Sequence, residues 1–524
     1  MGTYLNPGNE AYKESLRSEI YIDKTELIVR MNRLLGTKNK YVCVCRPRRF
    51  GKTMAEEMLQ AYYSVGCDSR RLFADKKVAA CQSFAEHLNK YQVLHLNMQE
   101  FLSKSRDVDD MFDLISRVFV RDAKREYPDI DFFSEDELNW CMEDVYQLTK
   151  VPFVILIDEW DCIFREYREN REEQERYLDS LRDLLKDKSY IALAYMTGIL
   201  PIKKYGTHSA LNMFDEYSMT DPRELAEFVG FTAQEVQGLC EKYHMDYEQA
   251  KNWYNGYSFP GEAEIYSPKS VVSSMMTGRY SDYWNQTETF EALRMYIELN
   301  MDGLKDAVIR MLAGFRVKID IRNYANDMVT FRGRDDVLTL LVHLGYLAYN
   351  VDTEEVYIPN KEISKEFVTA IGSMEWGEVI HSVKQSDSLL EAIWSGDEVR
   401  VAEAIQQAHY ETSILQYNDE NALSYTISLA LYAAREYYTV IRELPSGKGF
   451  ADLVFLPKKN HMDKPLLLVE LKWDKDAETA IRQIKEKKYT GVLREHAGKI
   501  LLVGICYDKK TKEHICEISS GDMK

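Results

Sequence analysis

Short runs of apolar residues alternate with longer segments of helical pattern over the first 215 residues of the chain. Four of these runs have the length of a buried strand and lie at residues 41–45, 91–97, 153–157 and 191–197. Short apolar strands that alternate with helices are typical of a parallel sheet covered on both faces. The pattern therefore predicts an α/β core over residues 1–215.

After residue 215 the pattern becomes mostly helical. We expect a helical lid or connector at residues 216–300. A helix (DDVLTLLVHLGYL), a hairpin-like stretch (AYNVDTEEVYIP) and a second helix (EISKEFV) follow, and their order and size suggest a winged-helix module over residues 301–375. Such modules bind DNA in some proteins and pack as connectors in ATPases. The few lysines and several acidic residues here favour the connector.

The last part of the chain reads as a second, smaller α/β unit at residues 411–524, after a helical linker at residues 376–410. A helix (NALSYTISLALYAAREYY) begins it. The remaining predicted elements are strands at residues 439–443, 450–455 and 466–472, a helix at residues 477–489 and a last strand at residues 500–506. Strand signals with both helices beside them indicate a sheet packed against helices.

The charge distribution bears on the choice of partner. The chain has a net charge of −18, which argues against nucleic acid. Residues 435–524, however, hold 18 Lys and Arg against 14 Asp and Glu, or +4, while the rest of the chain carries −22. A mildly basic tail on an acidic body permits local contact with phosphate without demanding it.

The sequence also bears on the compartment. The nine cysteines are scattered and form no CxxC pair, so we expect buried reduced thiols rather than a zinc site. No apolar run is long enough to span a bilayer, and the first residues (MGTYLNPGNEAYKESL) lack the features of a signal peptide. We therefore expect a cytoplasmic protein with no membrane partner.

A phosphate-binding loop is the clearest chemical signal. The pattern GxxxxGK[ST] matches the segment Arg46-Pro47-Arg48-Arg49-Phe50-Gly51-Lys52-Thr53, except that Arg46 replaces the first glycine. Gly51 lets backbone amides approach phosphate, Lys52 meets the β- and γ-phosphates, and Thr53 supplies a Mg²⁺ ligand. The loop lies between a predicted strand and a predicted helix, as the motif requires. It predicts binding of ATP with Mg²⁺.

Two further segments complete an ATPase pattern. The run FVILIDEWD ends a predicted strand at Asp158 and Glu159, where Asp158 can hold Mg²⁺ and Glu159 can polarise the attacking water. Thr197 ends the next strand, at the position of a polar sensor of the γ-phosphate. The alternative is an acidic turn after a core strand, which the order of the three elements disfavours.

The loop arginines at positions 46, 48 and 49 have several interpretations. They are solvated loop residues, or one of them contacts phosphate, or one acts as a finger toward a neighbouring subunit in a homo-oligomer. The sequence does not choose between these interpretations.

A second acidic pattern lies in the C-terminal unit. Asp452 lies in GFADLVFLP, and Glu470 and Lys472 lie in LLLVELKW, which is the PD-(D/E)XK arrangement. Two carboxylates would bind Mg²⁺, and the lysine would orient the attacking water or neutralise the transition state. Glu470 and Lys472 share a face because side chains alternate along a strand, whereas Asp452 must be shown to face them. Accessory positions are Glu443, Gln483 and Tyr489.

These segments together carry a resemblance to a known family. The chain resembles the bacterial family that joins an AAA-ATPase-like domain to a C-terminal PD-(D/E)XK nuclease-superfamily domain. The shared segments are YIDKTELI (21–28), RPRRFGKT (46–53), LIDEWD (156–161), MTGILPI (196–202), NGYSFPG (255–261), YSPKSVV (266–272), YWxxT (283–287), GKGFADLVF (447–455), VELKW (469–473) and AxxQIxxxxY (480–489). The resemblance implies a P-loop core, a helical and winged-helix middle and a restriction-endonuclease-like C-terminal domain. It also implies that arginine is usual at position 46, and it places Asp23 and Lys24 in the ATPase module without a role.

The sequence thus leads to one main hypothesis and an alternative. The main hypothesis is an ATP-hydrolysing protein coupled to a Mg²⁺-dependent nuclease domain that acts on nucleic acid, with DNA favoured over RNA. The alternative is a nucleotide-driven switch or scaffold whose C-terminal domain binds nucleic acid or a protein without cutting. A helicase or translocase is less favoured, because further helicase motifs are lacking.

Overall fold

A computed structural model describes the chain except for residues 1, 203, 206–207, 210, 260–262, 285–288, 300, 373–376, 412–419, 447–448, 474–478, 483–498 and 522–524. The helices, in chain order, are α1 (Glu10–Arg17), α2 (Glu26–Leu34), α3 (Lys52–Tyr63), α4 (Arg70–Phe73), α5 (Phe84–His87), α6 (Met98–Ser103), α7 (Val108–Glu126), α8 (Leu138–Thr149), α9 (Cys162–Glu166), α10 (Arg171–Leu185), α11 (Ala233–Tyr243), α12 (Tyr247–Tyr254), α13 (Pro268–Thr277), α14 (Thr289–Glu298), α15 (Leu304–Leu312), α16 (Arg334–His343), α17 (Lys361–Gly372), α18 (Gly377–Ser395), α19 (Glu398–Glu411), α20 (Glu420–Ala430) and α21 (Ala434–Tyr437).

The strands, in chain order, are β1 (Tyr41–Cys45), β2 (Gln92–Asn97), β3 (Phe153–Asp158), β4 (Ile191–Gly198), β5 (Lys204–Tyr205), β6 (His208–Ser209), β7 (Asp215–Tyr217), β8 (Phe231–Thr232), β9 (Tyr257–Phe259), β10 (Ala263–Tyr266), β11 (Val317–Lys318), β12 (Ala348–Asn350), β13 (Glu355–Tyr357), β14 (Tyr438–Ser446), β15 (Gly449–Pro457), β16 (Leu466–Trp473), β17 (Ile500–Asp508) and β18 (Glu513–Gly521). The chain forms two units, one of residues 1–289 and 318–363 and the other of residues 290–317 and 364–524.

A five-stranded sheet with the order β2-β3-β4-β1-β7 forms the centre of the first unit. All four neighbouring pairs of strands in this sheet are parallel. Every residue of β1, β3 and β4 is buried, as expected for parallel strands covered by helices on both faces. The carboxyl ends of β1, β3 and β4 therefore meet at one edge, which is where ligands bind in open parallel sheets.

The four strands predicted from the apolar runs are confirmed as β1 to β4. Strand β7 was not predicted from the sequence, because it has only three residues and two of its side chains are half-exposed. The α/β class predicted for this part of the chain is likewise confirmed.

Helices α11 to α13 and a small sheet of the order β8-β10-β9 follow the central sheet along the chain. They share a core that includes Val236, Trp253 and Tyr266. A capping box starts α11, because the Thr232 hydroxyl accepts the amide of Glu235 and the Glu235 carboxylate accepts the amide of Thr232. The sequence predicted the helices here but not this sheet, whose strands have two to four residues.

The predicted helix, hairpin and helix of the middle region are present as α16, the antiparallel pair β12 and β13, and α17. The division into two units falls within α14, β11 and α17. The boundaries proposed for the lid, the winged-helix region and the linker stay a prediction.

The second unit contains a mixed sheet of the order β14-β15-β16-β17-β18. The pair β16 and β17 is parallel, and the other neighbours are antiparallel. One face packs against helices through Leu453, Val469 and Leu471, and the other face carries Val454 and Leu468. The predicted strands are confirmed, but the sheet does not end at residue 506, since β18 pairs with β17 over its full length. The helix predicted at residues 477–489 lies largely outside the described residues.

Candidate functional site

The predicted phosphate-binding loop connects β1 to α3 at the edge of the central sheet. Gly51 has φ +93°, a left-handed conformation that favours glycine. A Cβ at Gly51 would meet no atom within 4 Å, so the backbone conformation rather than crowding demands glycine. Arg49 also has a positive φ, +69°. The loop thus turns sharply into the first turn of α3, where backbone amides are available to an anion.

Lys52, the first residue of α3, is buried and folds back over the loop. Its Nζ donates hydrogen bonds of 3.0 Å to the carbonyls of Arg46 and Pro47. Burial lowers the pKa of Lys52, while the charges of Glu159 and Asp158 raise it in part. Lys52 is thus a buried amine held at the place where the motif needs a cation.

Thr53, Asp158 and Thr197 are brought together from three elements. Thr53 Oγ1 donates to Asp158 Oδ2 at 2.7 Å, and Thr197 Oγ1 donates to Asp158 Oδ1 at 2.7 Å. Asp158 is 2% exposed and Thr197 is fully buried. Both carboxylate oxygens of Asp158 are therefore held by hydroxyl groups. Thr197 lies against Asp158 and is not among the residues that line the adjacent cavity.

The residues Thr53 and Asp158 fit a hard divalent cation. A serine or threonine hydroxyl and a strand-end aspartate are the oxygen ligands that Mg²⁺ takes in P-loop proteins. Their contact of 2.7 Å puts the two oxygens close enough to share one ion.

Glu159 follows Asp158 in a left-handed conformation, with φ +55°. Its carboxylate lines the cavity and forms an ion pair of 2.5 Å with Arg165 of α9. Burial would raise the pKa of Glu159, but the nearby charges of Arg165 and Lys52 outweigh burial and hold it below its usual value. Glu159 is accordingly an ionised carboxylate beside the phosphate loop.

A cavity of about 540 Å³ opens next to this loop. Residues 48–55, which include most of the phosphate-binding loop, line it together with Glu159. Apolar side chains line another part of the wall, and these include Ile20, Ile22, Phe228, Phe231 and Val272. A cavity whose wall contains both an anion-binding loop and apolar side chains suits a nucleotide.

Arg46 is not a solvated loop residue, so that interpretation is wrong for this position. Its side chain is fully buried, and its guanidinium donates to the carbonyls of Cys45 and Tyr217 at 3.0 and 3.2 Å. It also lies over the ring of Phe259, 5.3 Å from the centroid. The contact that Arg46 makes with the motif is through its backbone carbonyl, which accepts from Lys52.

The other side chains of the loop either line the cavity or pack against neighbouring residues. Arg48, Arg49 and Phe50 line the cavity, and Phe50 also packs edge-to-face on Tyr257 at 5.5 Å. Pro47 lies close to Gly345, where an added Cβ would come within 3 Å of its ring. The roles of Arg48 and Arg49 as phosphate contacts or as a finger stay predictions.

Residues that sequence reasoning left without a role acquire one in the structure. Asp23 accepts hydrogen bonds from the amides of Thr25 and Lys77 at 2.9 and 2.8 Å. Lys24 Nζ lies 2.6 Å from Glu235 Oε2 and 2.6 Å from the carbonyl of Glu227. The YIDKT segment marked these residues in the sequence, but only the fold shows that Lys24 links the segment to α11.

A row of polar side chains that joins α3 to β2 was also not found from the sequence. Glu56, one turn after Thr53 on α3, contacts His95 Nε2 at 3.2 Å, and His95 Nδ1 lies 2.5 Å from Gln60 Oε1. Burial raises the pKa of Glu56 well above its usual value and lowers that of His95. The spacing of Thr53, Glu56 and Gln60 on one helix face was the available signal.

The second candidate site lies on the sheet of the second unit. Asp452 belongs to the same face of β15 as Val454, and Glu470 belongs to the same face of β16 as Leu468. Since Val454 pairs with Leu468 in register, Asp452 and Glu470 lie on one face of neighbouring strands. This register places Asp452 on the face that carries Glu470 and Lys472, and the role of the three residues as a nuclease site stays a prediction.

Short contacts hold these three side chains. Asp452 Oδ2 accepts the amide of Leu471 at 2.6 Å, and Lys472 Nζ lies 3.0 Å from Glu470 Oε1. Glu470 is 1% exposed and Lys472 is 7% exposed. Two carboxylates on one face suit Mg²⁺, which takes one or two protein carboxylates and completes its shell with water.

The accessory positions are not described. The side chain of Glu443 lies outside the described side chains, and Gln483 and Tyr489 lie outside the described residues. Within the described part of the chain there is no group of three or more His, Cys, Asp or Glu side chains arranged to hold a metal. Of the helices that can be described, none is both long and apolar enough to cross a membrane.

Comparison with family models covers both sites. Residues 10–207 match the model described as "Predicted AAA-ATPase", and residues 419–517 match that of the PD-(D/E)XK nuclease superfamily. The chain joins an AAA-ATPase-like domain to a PD-(D/E)XK nuclease-superfamily domain. The loop, Asp158, Glu159 and Thr197 lie in the first match, and Asp452, Glu470 and Lys472 lie in the second.

Individual proteins match this chain over a small part of its length or at a low sequence identity. An uncharacterised protein encoded in the vnfD 5′ region of Azotobacter chroococcum is 30% identical over 142 residues, which is 26% of this chain and 27% of that protein. Among solved structures, the ORC2 protein of Aeropyrum pernix has 11% identity and a TM-score of 0.29, with 68% of this chain and 97% of that chain covered. Cdc6p of Pyrobaculum aerophilum has 12% identity and a TM-score of 0.26, with 70% and 98% covered.

Proposed function

We propose that the AAA-ATPase-like domain binds and hydrolyses ATP with Mg²⁺, and that this reaction governs a Mg²⁺-dependent nuclease domain that cleaves nucleic acid, DNA rather than RNA. The observation that carries the ATPase part is the convergence of Thr53 and Asp158, 2.7 Å apart, beside a cavity that Lys52 and Glu159 line. These are the groups that phosphoryl transfer to water requires.

Each of these residues has a distinct task in the proposed hydrolysis. Lys52 moves from its two loop carbonyls to the β- and γ-phosphates, which are stronger acceptors. Glu159 accepts a hydrogen bond from the attacking water and aligns it with phosphorus. Thr53 and Asp158 would hold Mg²⁺, which neutralises charge on the phosphate oxygens when bound. Thr197 keeps Asp158 oriented.

The apolar wall of the cavity supports a nucleotide rather than a free phosphate as the ligand. Ile20 and Ile22 contribute from the segment that precedes α2, and Phe228, Phe231 and Val272 contribute from the region of α11 and α13. A purine base has two flat apolar faces that such side chains can cover.

The proposed nuclease reaction rests on the shared face of Asp452 and Glu470. These carboxylates would hold Mg²⁺, which activates water and stabilises charge on phosphorus when bound. Lys472, whose ammonium contacts Glu470, would orient that water or stabilise the transition state. The net charge of +4 over residues 435–524 supports contact with a phosphate backbone.

A switch that binds without cutting is the second candidate. It is favoured by the net charge of −18 and by the nearly complete burial of the pair formed by Glu470 and Lys472. Assembly into a homo-oligomer, with Arg48 or Arg49 reaching a neighbouring subunit, is compatible with either candidate.

Phosphate release from ATP by the purified protein tests the ATPase proposal. The wild type should hydrolyse ATP in the presence of Mg²⁺ and not in EDTA. Lys52→Ala should lose nucleotide binding, whereas Glu159→Gln should bind ATP and lose turnover by about 100-fold or more. Absence of hydrolysis by the wild type with Mg²⁺ and with each candidate activator, including DNA, would contradict the proposal.

Cleavage assays on single-stranded DNA, duplex DNA and RNA test the nuclease proposal. With Mg²⁺ or Mn²⁺ and with ATP, ADP or no nucleotide, the wild type should cut DNA. Asp452→Ala should lose cleavage while its ATP binding is unchanged. Asp463→Ala is the matched control, because that side chain is exposed and its ion pair within the described residues is with its neighbour Lys464. Binding without cleavage under every condition would favour the switch.

A further inference from the structure

The position of Glu159 relative to the cavity depends on a backbone turn that the chain holds in place. Glu159 adopts φ +55°, a left-handed conformation that is strained for a residue other than glycine. Its amide donates to Asp158 Oδ1 at 2.9 Å, and its carbonyl accepts the amide of Cys162 at 3.0 Å. The backbone is therefore fixed on both sides of the residue, and the side chain is left to reach the cavity.

Arg165 is the group that holds the end of this side chain. It lies on α9, and its Nη2 is 2.5 Å from Glu159 Oε2. The side chain of Arg165 is 10% exposed and that of Glu159 is 24% exposed. Glu159 lines the cavity and Arg165 does not. The arginine therefore contacts the carboxylate without being part of the cavity wall.

Arg165 is itself anchored. Its Nη2 also donates to Gln99 Oε1 at 3.3 Å, and Gln99 belongs to α6, which follows β2 directly. Its backbone carbonyl accepts from Arg168 Nε at 3.0 Å. These contacts hold the guanidinium in place relative to the edge of the central sheet at which Asp158 also lies.

A carboxylate has two oxygens, and Arg165 engages one of them. A carboxylate that polarises water must offer an oxygen in a fixed direction, because a misplacement of about 1 Å costs on the order of 100-fold in rate. An ionised arginine is suited to this task, since its planar fork orients a carboxylate more firmly than a lysine does.

We propose that Arg165 is a positioning residue for ATP hydrolysis, which holds Oε2 of Glu159 so that Oε1 receives the attacking water. The inference rests on the proposed role of Glu159. Arg165 acts through Glu159 and contacts neither nucleotide nor water itself.

The experiment measures kcat and KM for ATP, and nucleotide affinity separately, in four variants of the full chain. Arg165→Gln should lower kcat by about 10- to 100-fold and change the dissociation constant for ATP by less than about threefold. Arg165→Lys should recover part of the rate. Glu159→Gln combined with Arg165→Gln should be no slower than Glu159→Gln alone, because residues that act as a unit are not additive.

Gln99→Leu provides a second route if Arg165→Gln does not fold. It removes the 3.3 Å contact to the guanidinium and leaves the ion pair, so it should lower kcat by a smaller factor. Arg176→Gln is the matched control, because this exposed arginine of α10 also pairs with carboxylates, Asp109 at 3.0 Å and Glu172 at 2.8 Å, and should leave kcat unchanged.

The outcomes separate this inference from the proposed function. A wild type that hydrolyses ATP while folded Arg165→Gln keeps its kcat would overturn the inference alone. A rise in kcat would show that Arg165 restrains Glu159 and would also overturn it. A double variant that multiplies the two single losses would show that Arg165 acts independently of Glu159. A wild type that never hydrolyses ATP would overturn both the inference and the proposed ATPase.

Discussion

The guanidinium of Arg46 donates a hydrogen bond of 3.2 Å to the carbonyl of Tyr217. Tyr217 lies on β7, which pairs with β1 immediately before the phosphate-binding loop. The same guanidinium lies over Phe259 of β9. The residue that replaces the first glycine of the motif therefore braces the loop against two strands, and the departure from the pattern has a structural cause.

Replacing Arg46 with glycine should therefore destabilise the protein, although it restores the motif. Arg46→Gly removes the contacts to Tyr217 and Phe259 and leaves a cavity at a fully buried position. The Nε and Nη2 atoms find no hydrogen-bond partner among the described residues, so we expect a modest loss of about 1–3 kcal/mol. Thermal unfolding measures this loss, and ATP affinity should not improve.

Arg49→Gly is the matched control for this change. Arg49 is exposed and has φ +69°, so glycine relieves a strained backbone conformation there. Its melting temperature should stay the same or rise. Equal losses in both variants would mean that the brace at position 46 contributes nothing specific.

Thr197→Val should raise the Mg²⁺ concentration that half-saturates the ATPase by several-fold. Valine keeps the shape but removes the hydroxyl that donates to Asp158 Oδ1 at 2.7 Å, and partners of metal ligands commonly contribute about 10- to 100-fold to metal affinity. ATP affinity without Mg²⁺ should not change. If Thr197 instead senses the γ-phosphate, as its place at the strand end predicted, kcat would fall at an unchanged Mg²⁺ requirement.

Lys472→Met should destabilise the nuclease-superfamily domain. Glu470 is 1% exposed and its Oε1 lies 3.0 Å from the ammonium, so the change leaves a buried carboxylate without this cation. We expect a loss of about 3–5 kcal/mol, measured by denaturant unfolding. Lys510→Met, at an exposed turn between β17 and β18, should have no effect. An unchanged unfolding midpoint in Lys472→Met would show that the pair does not stabilise the fold.

The fold was predictable where the pattern of apolar residues continued over the length of a whole strand. Strands β1, β3 and β4 are largely apolar runs, and β2 has apolar residues interrupted by His95; all four were found within one or two residues. The short strands β7 to β10 were not found, because strands of two to four residues carry little alternating pattern and β7 depends on its pairing with β1, which is distant in sequence. Strand β18 was missed for a related reason, since its mixed residues become a strand through pairing with β17.

The candidate sites were predictable where a motif ties residue type to spacing. Thr53, Asp158 and Thr197 were named from their places at a loop and at strand ends, and the structure brings them into contact. The burial of Arg46 was not predictable, because an arginine in a loop is ordinarily expected to face solvent. Arg165 was also missed, since an arginine six residues after Glu159 matches no motif and its contact depends on the turn between them.

Glu362 gives the first unit of the chain, residues 1–289 and 318–363, a dependence of stability on pH. Its Oε1 accepts the amides of Tyr283 and Trp284 at 2.7 and 3.0 Å in a buried site. Burial raises the pKa of Glu362 to about 7, and these two backbone amides and Ser270 oppose that rise only in part. The charge of Asp282 raises it further. The folded state therefore keeps a proton that the unfolded chain releases near its ordinary pKa of 4.5.

Glu362→Gln should remove this pH dependence. Because the folded pKa exceeds the unfolded one, the contribution of Glu362 is fully present below pH 4.5 and is lost as pH rises through about 7. The loss amounts to at most about 3 kcal/mol. Glutamine is neutral and keeps an oxygen acceptor for the amides of Tyr283 and Trp284. The variant should match the wild type near pH 5 and unfold at a higher temperature at pH 8. Glu175→Gln, at an exposed position of α10, should show no such trend. A difference between Glu362→Gln and the wild type that is constant with pH would mean that Glu362 is ionised in the folded protein throughout this range.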